Sequence, residues 1–260
     1  MTATTPSVPT RFRLDGRVAI VTGASKGIGA AIAQALAESG ARVVVSSRRQ
    51  EAVDEVAHAI VAAGGEAIAV AAHVGKLDDA RALVDRTVAH WGGVDVVVNN
   101  AATNPVFGPI LDADAAAFEK IFAVNVQGPL EIARRAHASM KARGNGSVVN
   151  VSSVGGVSPE PGLGLYSMSK AALVSMTKVL AQEWGADGIR ANVVCPGLIR
   201  TKFSQALWED ERILRHMLAQ QALPRIGVPE DVAGLALFLA SDAAAYCTGG
   251  VYVVDGGYLA

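Results

Sequence analysis

Two sets of side chains in this sequence have the types and spacing to move a proton on a substrate oxygen. Tyr166 and Lys170 stand four residues apart at the start of a helical segment, which puts them on one face, one turn apart. A cation held near a phenol favours the phenolate and lowers the phenol's pKa. Ser152 and Ser153 follow a strand-like run, Ser147 to Val151. Open α/β sheets bind ligands outside the carboxyl ends of their strands. A hydroxyl there can hydrogen-bond a substrate oxygen while the phenol gives or takes the proton. Taken singly each set is ordinary, since many helices carry a Tyr and a Lys at this spacing and Ser-Ser commonly follows a strand.

A third set could hold phosphate. Thr22-Gly23-Ala24-Ser25-Lys26-Gly27-Ile28-Gly29 lies between a β-branched run, Val18 to Val21, and a segment with Ile28, Ile32, Ala35 and Leu36 at helical spacing. Glycines at 23, 27 and 29 form a G-x-x-x-G-x-G pattern, a variant of the dinucleotide fingerprint. Such a loop lets the backbone approach a diphosphate and opens a helix N-terminus, whose amides and dipole attract anions. The second strand ends at Ser46-Ser47-Arg48-Arg49, and no acidic residue follows until Glu51. An NAD site usually has a carboxylate here to accept from the ribose 2′-hydroxyl. A hydroxyl, two guanidinium groups and Lys26 in the glycine loop instead suit a 2′-phosphate. Cations at a helix N-terminus oppose its dipole, so a ligand must favour them. The pattern points to NADP(H).

The elements that must position these groups alternate along the whole chain. Strand-like runs at Val18 to Val21, Val43 to Val45, Ile68 to Ala72, Val94 to Val98, Ser147 to Val151, Ala191 to Cys195 and Val251 to Val254 are separated by helical segments. Among these segments are Leu77 to Trp91, a long stretch from Phe118 to Met140, Tyr166 to Trp184, and Glu230 to Leu239. Continuous apolar strands alternating with helices predict a parallel sheet covered on both faces. The fold class is α/β: one doubly wound Rossmann domain with a seven-stranded parallel sheet flanked by helices. Residues 1–13 read as a flexible tail, Met1 to Thr10 being rich in Thr and Pro, and 14–260 as the domain.

Composition excludes other classes. The 260 residues carry 23 basic and 24 acidic side chains, without the basic excess that binds nucleic acid. No apolar run reaches the roughly 18 to 20 residues of a membrane span, and the start has neither part of a secretory signal. Cys195 and Cys247 form no metal or disulfide pattern. The expectations are no metal, no nucleic acid, no membrane and a cytoplasmic location. A mean hydropathy of +0.32 suggests burial between subunits.

These marks in this order resemble the short-chain dehydrogenase/reductase family over about Gly16 to Gly257. They are the loop from Thr22 to Gly29, Asn99-Asn100-Ala101-Ala102, Asn125, Ser153 with Tyr166 13 residues later, Lys170, Pro196-Gly197, and Asp255-Gly256-Gly257. The resemblance implies roles. Tyr166 would be the general acid in reduction and the base in oxidation. Ser153 would hold the substrate oxygen. Lys170 would bind the nicotinamide ribose and lower the Tyr166 pKa, and Asn125 would position a water that relays protons from Lys170. Gly23, Ser25, Lys26, Gly27, Ile28 and Gly29, with Ser47, Arg48, Val74, Asn100, Ala101, Tyr166, Lys170, Pro196, Gly197, Ile199 and Thr201, would contact the cofactor.

Lys26 with Ser47-Arg48 is similar to the NADPH-dependent carbonyl reductase pattern. Stretches such as His73-Val74-Gly75-Lys76 and Gly197 to Ser204 closely resemble the branch called dehydrogenase/reductase member four. That resemblance implies reduction of ketones, dicarbonyls and retinal, and the family implies a homotetramer built on the helices around 118–140 and 166–184 and on the last strand. Two positions depart from the family. His73 replaces an Asp expected near the adenine amino group, and Ala102 replaces a Gly.

A lid near 198–228 is expected to cover the substrate. Phe203, Leu207 and Trp208 on one side and Val154 on the other would line a pocket for an apolar carbonyl or alcohol. A 3-oxoacyl-carrier-protein reductase would share the catalytic set and could use Arg134, Arg135, Lys141 and Arg143 to meet an acidic carrier. A non-catalytic NADP-sensing protein is a further alternative, one that would not need the full set Asn125, Ser153, Tyr166 and Lys170.

Overall fold

The computed structural model describes residues 7–260. Its strands are β1 (Val18–Thr22), β2 (Arg42–Ser47), β3 (Glu66–Ala71), β4 (Val96–Asn99), β5 (Gly146–Val151), β6 (Ile189–Pro196) and β7 (Val251–Val254). All are parallel, in the order β3-β2-β1-β4-β5-β6-β7. The helices are α1 (Val8–Arg11), α2 (Gly27–Glu38), α3 (Gln50–Ala62), α4 (Leu77–Trp91), α5 (Ala115–Phe122), α6 (Gly128–Arg143), α7 (Gly164–Trp184), α8 (Gln205–Trp208), α9 (Glu211–Ala219) and α10 (Pro229–Ala240). The chain is the doubly wound, seven-stranded Rossmann fold that the alternation predicts.

Successive strand residues point to opposite faces, and both faces are apolar. Ala19 and Val21 of β1 join Val43, Val45, Val96 and Val98 in a layer packed on Ile32 and Leu36 of α2 and on Val232 and Leu239 of α10. Ile20 between them joins Val44, Val97 and Val148 in the other layer, against Leu83 of α4, Ile132 and Met140 of α6, and Leu180 of α7. A fully buried Val or Ile stabilises such a layer by about 1.5–3 kcal/mol, and this two-sided burial explains why the strands carry few polar residues. Strand order reverses at β1, with β2 and β3 on one side and β4 on the other. That switch point opens a crevice at the carboxyl edge.

The structure redraws three sequence boundaries. The stretch expected as one helix from Phe118 to Met140 is α5 and α6 joined by a π-helical turn, Ala123–Gln127. Periodicity near 3.6 cannot reveal one extra residue per turn, and such turns concentrate at functional sites. Val94 precedes β4 instead of belonging to it, because Asp95 is used to join elements: its carboxylate accepts from the Val18 backbone (2.8 Å) and from Arg143 of α6. Within the stretch read as a tail, α1 occupies Val8–Arg11 and Phe12 lies 6.2 Å from Phe238 of α10, ring centre to ring centre. Residues 1–6 of that stretch lie outside the described residues. Among the described residues no helix is long and apolar enough to cross a membrane.

Candidate active site

The glycine loop is held open by its own backbone. Gly23 and Gly27 have φ of +64° and +58°, a region that costs a side chain dearly. A Cβ on Gly23 would lie 2.8 Å from the Ala101 Cα, and one on Gly29 would lie 2.5 Å from the Asn100 amide nitrogen. The loop is therefore pressed against the end of β4, and its outer side is bare backbone at the N-terminus of α2. Asn100 buttresses it: its Nδ2 donates to the Thr22 carbonyl (2.9 Å) and the Gly23 carbonyl (3.2 Å). The Thr22 hydroxyl accepts from the backbone amides of Asn100 and Ala101, both at 3.1 Å. Asn100 thus shapes the cradle from behind, where a cofactor-lining place was expected. Such a cradle fits the diphosphate of a dinucleotide.

Three cations border the cradle. The Ala24 amide donates to the Ser46 carbonyl (2.9 Å), so the loop carrying Ser25 and Lys26 is tied to the end of β2, where Ser47 and Arg48 emerge. Lys26, Arg48 and Arg49 are all exposed. Among the described residues none of the three is paired with a carboxylate. Val74, after β3, is buried and packs in the same layer as Val124. His73 beside it donates its backbone amide to Asp79 (3.1 Å) and leaves its Nδ1 buried without a partner, against Gly75.

The catalytic candidates converge on the end of β5. Ser153 caps the turn Val154–Gly156, its Oγ accepting from the Gly155 amide at 3.1 Å. Ser152 donates to the Lys170 carbonyl (2.9 Å), which fixes α7 to the strand end. Lys170 is buried; its ammonium donates to the Val151 carbonyl at 2.8 Å and lies 5.6 Å from the centre of the Tyr166 ring. Burial lowers Lys170 to about 8. Burial also raises the Tyr166 phenol to about 12, against the opposing effect of the Ser153 hydroxyl. Desolvation disfavours both charged forms, the Lys170 ammonium is directed to a backbone carbonyl, and the lowering influence on the phenol comes from the Ser153 hydroxyl. The phenol is held as a proton donor.

Asn125 sits in the π turn, fully buried, and its amide closes a local lattice. Its Oδ1 accepts from the Thr103 amide (2.8 Å), and its Nδ2 donates to the Thr103 carbonyl and the Ser169 hydroxyl, both at 3.0 Å. Ser169 in turn donates to the Tyr166 carbonyl (2.7 Å). Asn125 therefore reaches the Tyr166–Lys170 turn through Ser169. Sequence reading missed Ser169 and Thr22. The signal for Ser169 was its polar side chain within one turn of Tyr166; Thr22 had only its place at a strand end.

Opposite lies the expected lid. Pro196 ends β6, and Gly197 donates to the Val254 carbonyl (2.9 Å). Ile199 pairs with Gly227 in a bridge that closes the lid at its root. The Thr201 methyl lies against Gly27, at 3.1 Å from where a Cβ would stand. The lid has its own apolar cluster, in which Leu207 and Trp208 pack around Leu198, Met217 and Ile226. Trp208 also donates its indole N–H to the Thr201 carbonyl (3.0 Å). Leu207 and Trp208, expected to line the pocket, are half-buried against this cluster. Phe203 is different: it is exposed, and its ring centre lies 6.0 Å from that of Tyr166. Val154 is buried next to Ser153.

A dinucleotide cradle at the switch point, with a phenol, a serine and a lysine at its mouth, defines an oxidoreductase of the Rossmann class. Comparison with known proteins narrows this. A family model described as enoyl-(acyl carrier protein) reductase matches residues 23–259. Dehydrogenase/reductase SDR family member 4 of Sus scrofa is 46% identical over 96% of this chain and 90% of its own length. Among solved structures, a short-chain type dehydrogenase/reductase from Mycobacterium marinum is 37% identical, with a TM-score of 0.91 over 97% of this chain and 99% of its own. A gluconate 5-dehydrogenase from Burkholderia cenocepacia, solved with NADP and tartrate, is 32% identical, with a TM-score of 0.93 over 97% and 99%. The chain belongs to the short-chain dehydrogenase/reductase family, whose members are oxidoreductases working with nicotinamide cofactors.

Proposed function

We propose that the chain reduces apolar ketones or aldehydes with NADPH. The observation that carries this reading is the group of three cations, Lys26, Arg48 and Arg49, beside the glycine loop, exposed and without a carboxylate partner among the described residues. They suit a 2′-phosphate, since guanidinium groups match phosphate oxygens. The NADP bound in the Burkholderia relative agrees with it. When bound, the nicotinamide supplies the hydride to the carbonyl carbon. Gly23, Ser25, Lys26, Gly27, Ile28, Gly29 and Thr201 would hold the diphosphate side, and Val74, Ala101, Pro196, Gly197 and Ile199 the walls. Ser153 would bind the substrate oxygen and orient it. Tyr166 would pass its phenolic proton to that oxygen, and Lys170 would then favour the phenolate left behind. Asn125 would keep the turn bearing Tyr166 and Lys170 in place through Ser169. The exposed Phe203 ring facing Tyr166 supports an apolar substrate, with Val154 at the other side.

The carrier-protein reading loses its support. Arg135 pairs with Asp85 (2.6 Å), Lys141 with Asp187 (2.7 Å), Arg143 with Asp95, and Arg134 approaches Glu131 at 3.9 Å. Three of these cations have a carboxylate of their own, and Arg134 shares Glu131 with Arg81 (2.6 Å), so the patch offers an acidic carrier little free charge. A homotetramer agrees with Phe118, Met168 and Val179, apolar side chains left exposed along α5 and α7, and with Val253 on the edge strand β7. Consumption of NADPH and of NADH over aryl ketones, dicarbonyls, retinal and a 3-oxoacyl thioester tests the proposal. NADPH-dependent turnover of the apolar carbonyls is expected; turnover of the thioester alone, or with NADH in preference, would sink it.

A further inference from the structure

The segment after β7 joins the end of the lid to the loop that leads into α7. Asp255 caps it, its carboxylate accepting from the Gly257 amide (2.8 Å) and the Leu259 amide (2.9 Å). On one side this segment grips the end of the lid: the Leu223 amide donates to the Gly256 carbonyl (2.8 Å), and Gln221 donates to the Asp255 carbonyl (3.2 Å). On the other side the Tyr258 hydroxyl donates to the Glu160 carboxylate at 2.8 Å. Glu160 belongs to the loop between Ser153 and Tyr166. Val157, Ser158 and Pro159 before it are exposed, whereas Glu160 is half-buried. The Glu160 carbonyl also accepts from Leu163, directly before α7, at 3.2 Å. One side chain therefore links the loop leading into the catalytic tyrosine to the base of the lid whose Phe203 faces that tyrosine.

We infer that Tyr258 is a specificity-determining residue, which clasps Glu160 and so fixes the distance between the Tyr166 loop and the lid where a bulky substrate enters. The clasp acts through position, since neither residue is placed among the reacting groups. Burial and the neighbouring Glu160 carboxylate push the Tyr258 phenol up to about 12, so it remains a donor across the working range. The substrate part of this inference rests on the carbonyl reductase reading; the clasp itself does not.

The test compares the full-length wild type with Tyr258→Phe, Glu160→Ala and the double variant. A hydrogen bond to a charged acceptor predicts that each single change raises KM for a bulky aryl ketone about tenfold. NADPH affinity, kcat and KM for a small aliphatic ketone should move less than about twofold. Because both changes remove one contact, the double variant should be no worse than either single one. Amide hydrogen exchange at Gly162, Leu163 and Leu223 should quicken in all three. Additive effects, an unchanged aryl ketone KM, or a loss confined to kcat would overturn the inference. If the wild type reduces no carbonyl, the functional reading fails, and exchange alone decides the clasp: unchanged rates in both loop and lid would end it.

Discussion

The glycine loop and the lid meet where Thr201 lies against Gly27, and they are built in contrasting ways. The loop is all backbone: Gly23 and Gly29 press on Asn100 and Ala101, and Thr22 gathers the amides of two residues. The lid, beyond the backbone bridge at its root, packs through side chains. It packs Leu207, Trp208, Met217 and Ile226 into a cluster of its own, and only Phe203 among the residues named for the pocket is exposed toward Tyr166. One side offers backbone amides with cations beside them; the other offers an apolar cluster. Apolar pockets discriminate weakly between similar ligands, so the proposed function expects strictness toward the cofactor and breadth toward the substrate.

Substitutions on the two sides should therefore behave differently. The largest effect belongs to the residue between them. Tyr166→Phe removes the proton donor, and kcat for carbonyl reduction should fall at least about a thousandfold, with NADPH affinity kept; a loss of affinity equal to the loss of rate would mean the phenol only binds. Next comes the cradle. In Gly29→Val the added carbons meet the Asn100 amide and the Gly23 carbonyl, so NADPH binding should weaken about a hundredfold or more and the fold lose about 1–3 kcal/mol by overpacking; titration calorimetry and thermal melting read both. On the lid, Phe203→Ala should raise KM for aryl ketones about fivefold, the scale of one aromatic contact, and leave NADPH binding alone. A change in cofactor affinity there would break the contrast.

The smallest effect is on pH-dependent stability. Lys170 has its pKa lowered by burial from 10.5 to about 8. Between those values the unfolded chain binds the proton and the folded one does not, so stability rises with pH. Tyr166, raised from 10.0 to about 12, acts in the opposite direction above its ordinary value. The gain should therefore show between about pH 8 and 10 in urea unfolding of the wild type and vanish in Lys170→Met; equal slopes would contradict it.

The same contrast explains what the sequence made legible. Strand runs, the glycine loop, Ser153, Tyr166 and Lys170 are constrained locally, by dihedral angles and spacing, and each stands where its pattern predicts. The rest depends on partners far along the chain. Apolar residues at helical spacing read alike whether they line a pocket or fill a lid, so Leu207 and Trp208 could not be told from Phe203. Tyr258 and Glu160 are 98 residues apart and carry no pattern at all. The π turn at Asn125 hides inside a continuous helical rhythm, and Arg135, Lys141 and Arg143 resemble a free patch until Asp85, Asp187 and Asp95 fold onto them.

The central claim, that the cradle selects the phosphorylated cofactor, is tested most directly by equilibrium binding of NADPH and NADH to the wild type and to the Lys26→Ala/Arg48→Ala protein. Two charge-assisted contacts predict that the wild type binds NADPH at least about tenfold more tightly than NADH, and that the variant loses this margin through NADPH alone. Equal affinity of the wild type for the two cofactors, or an equal loss of both in the variant, would contradict it.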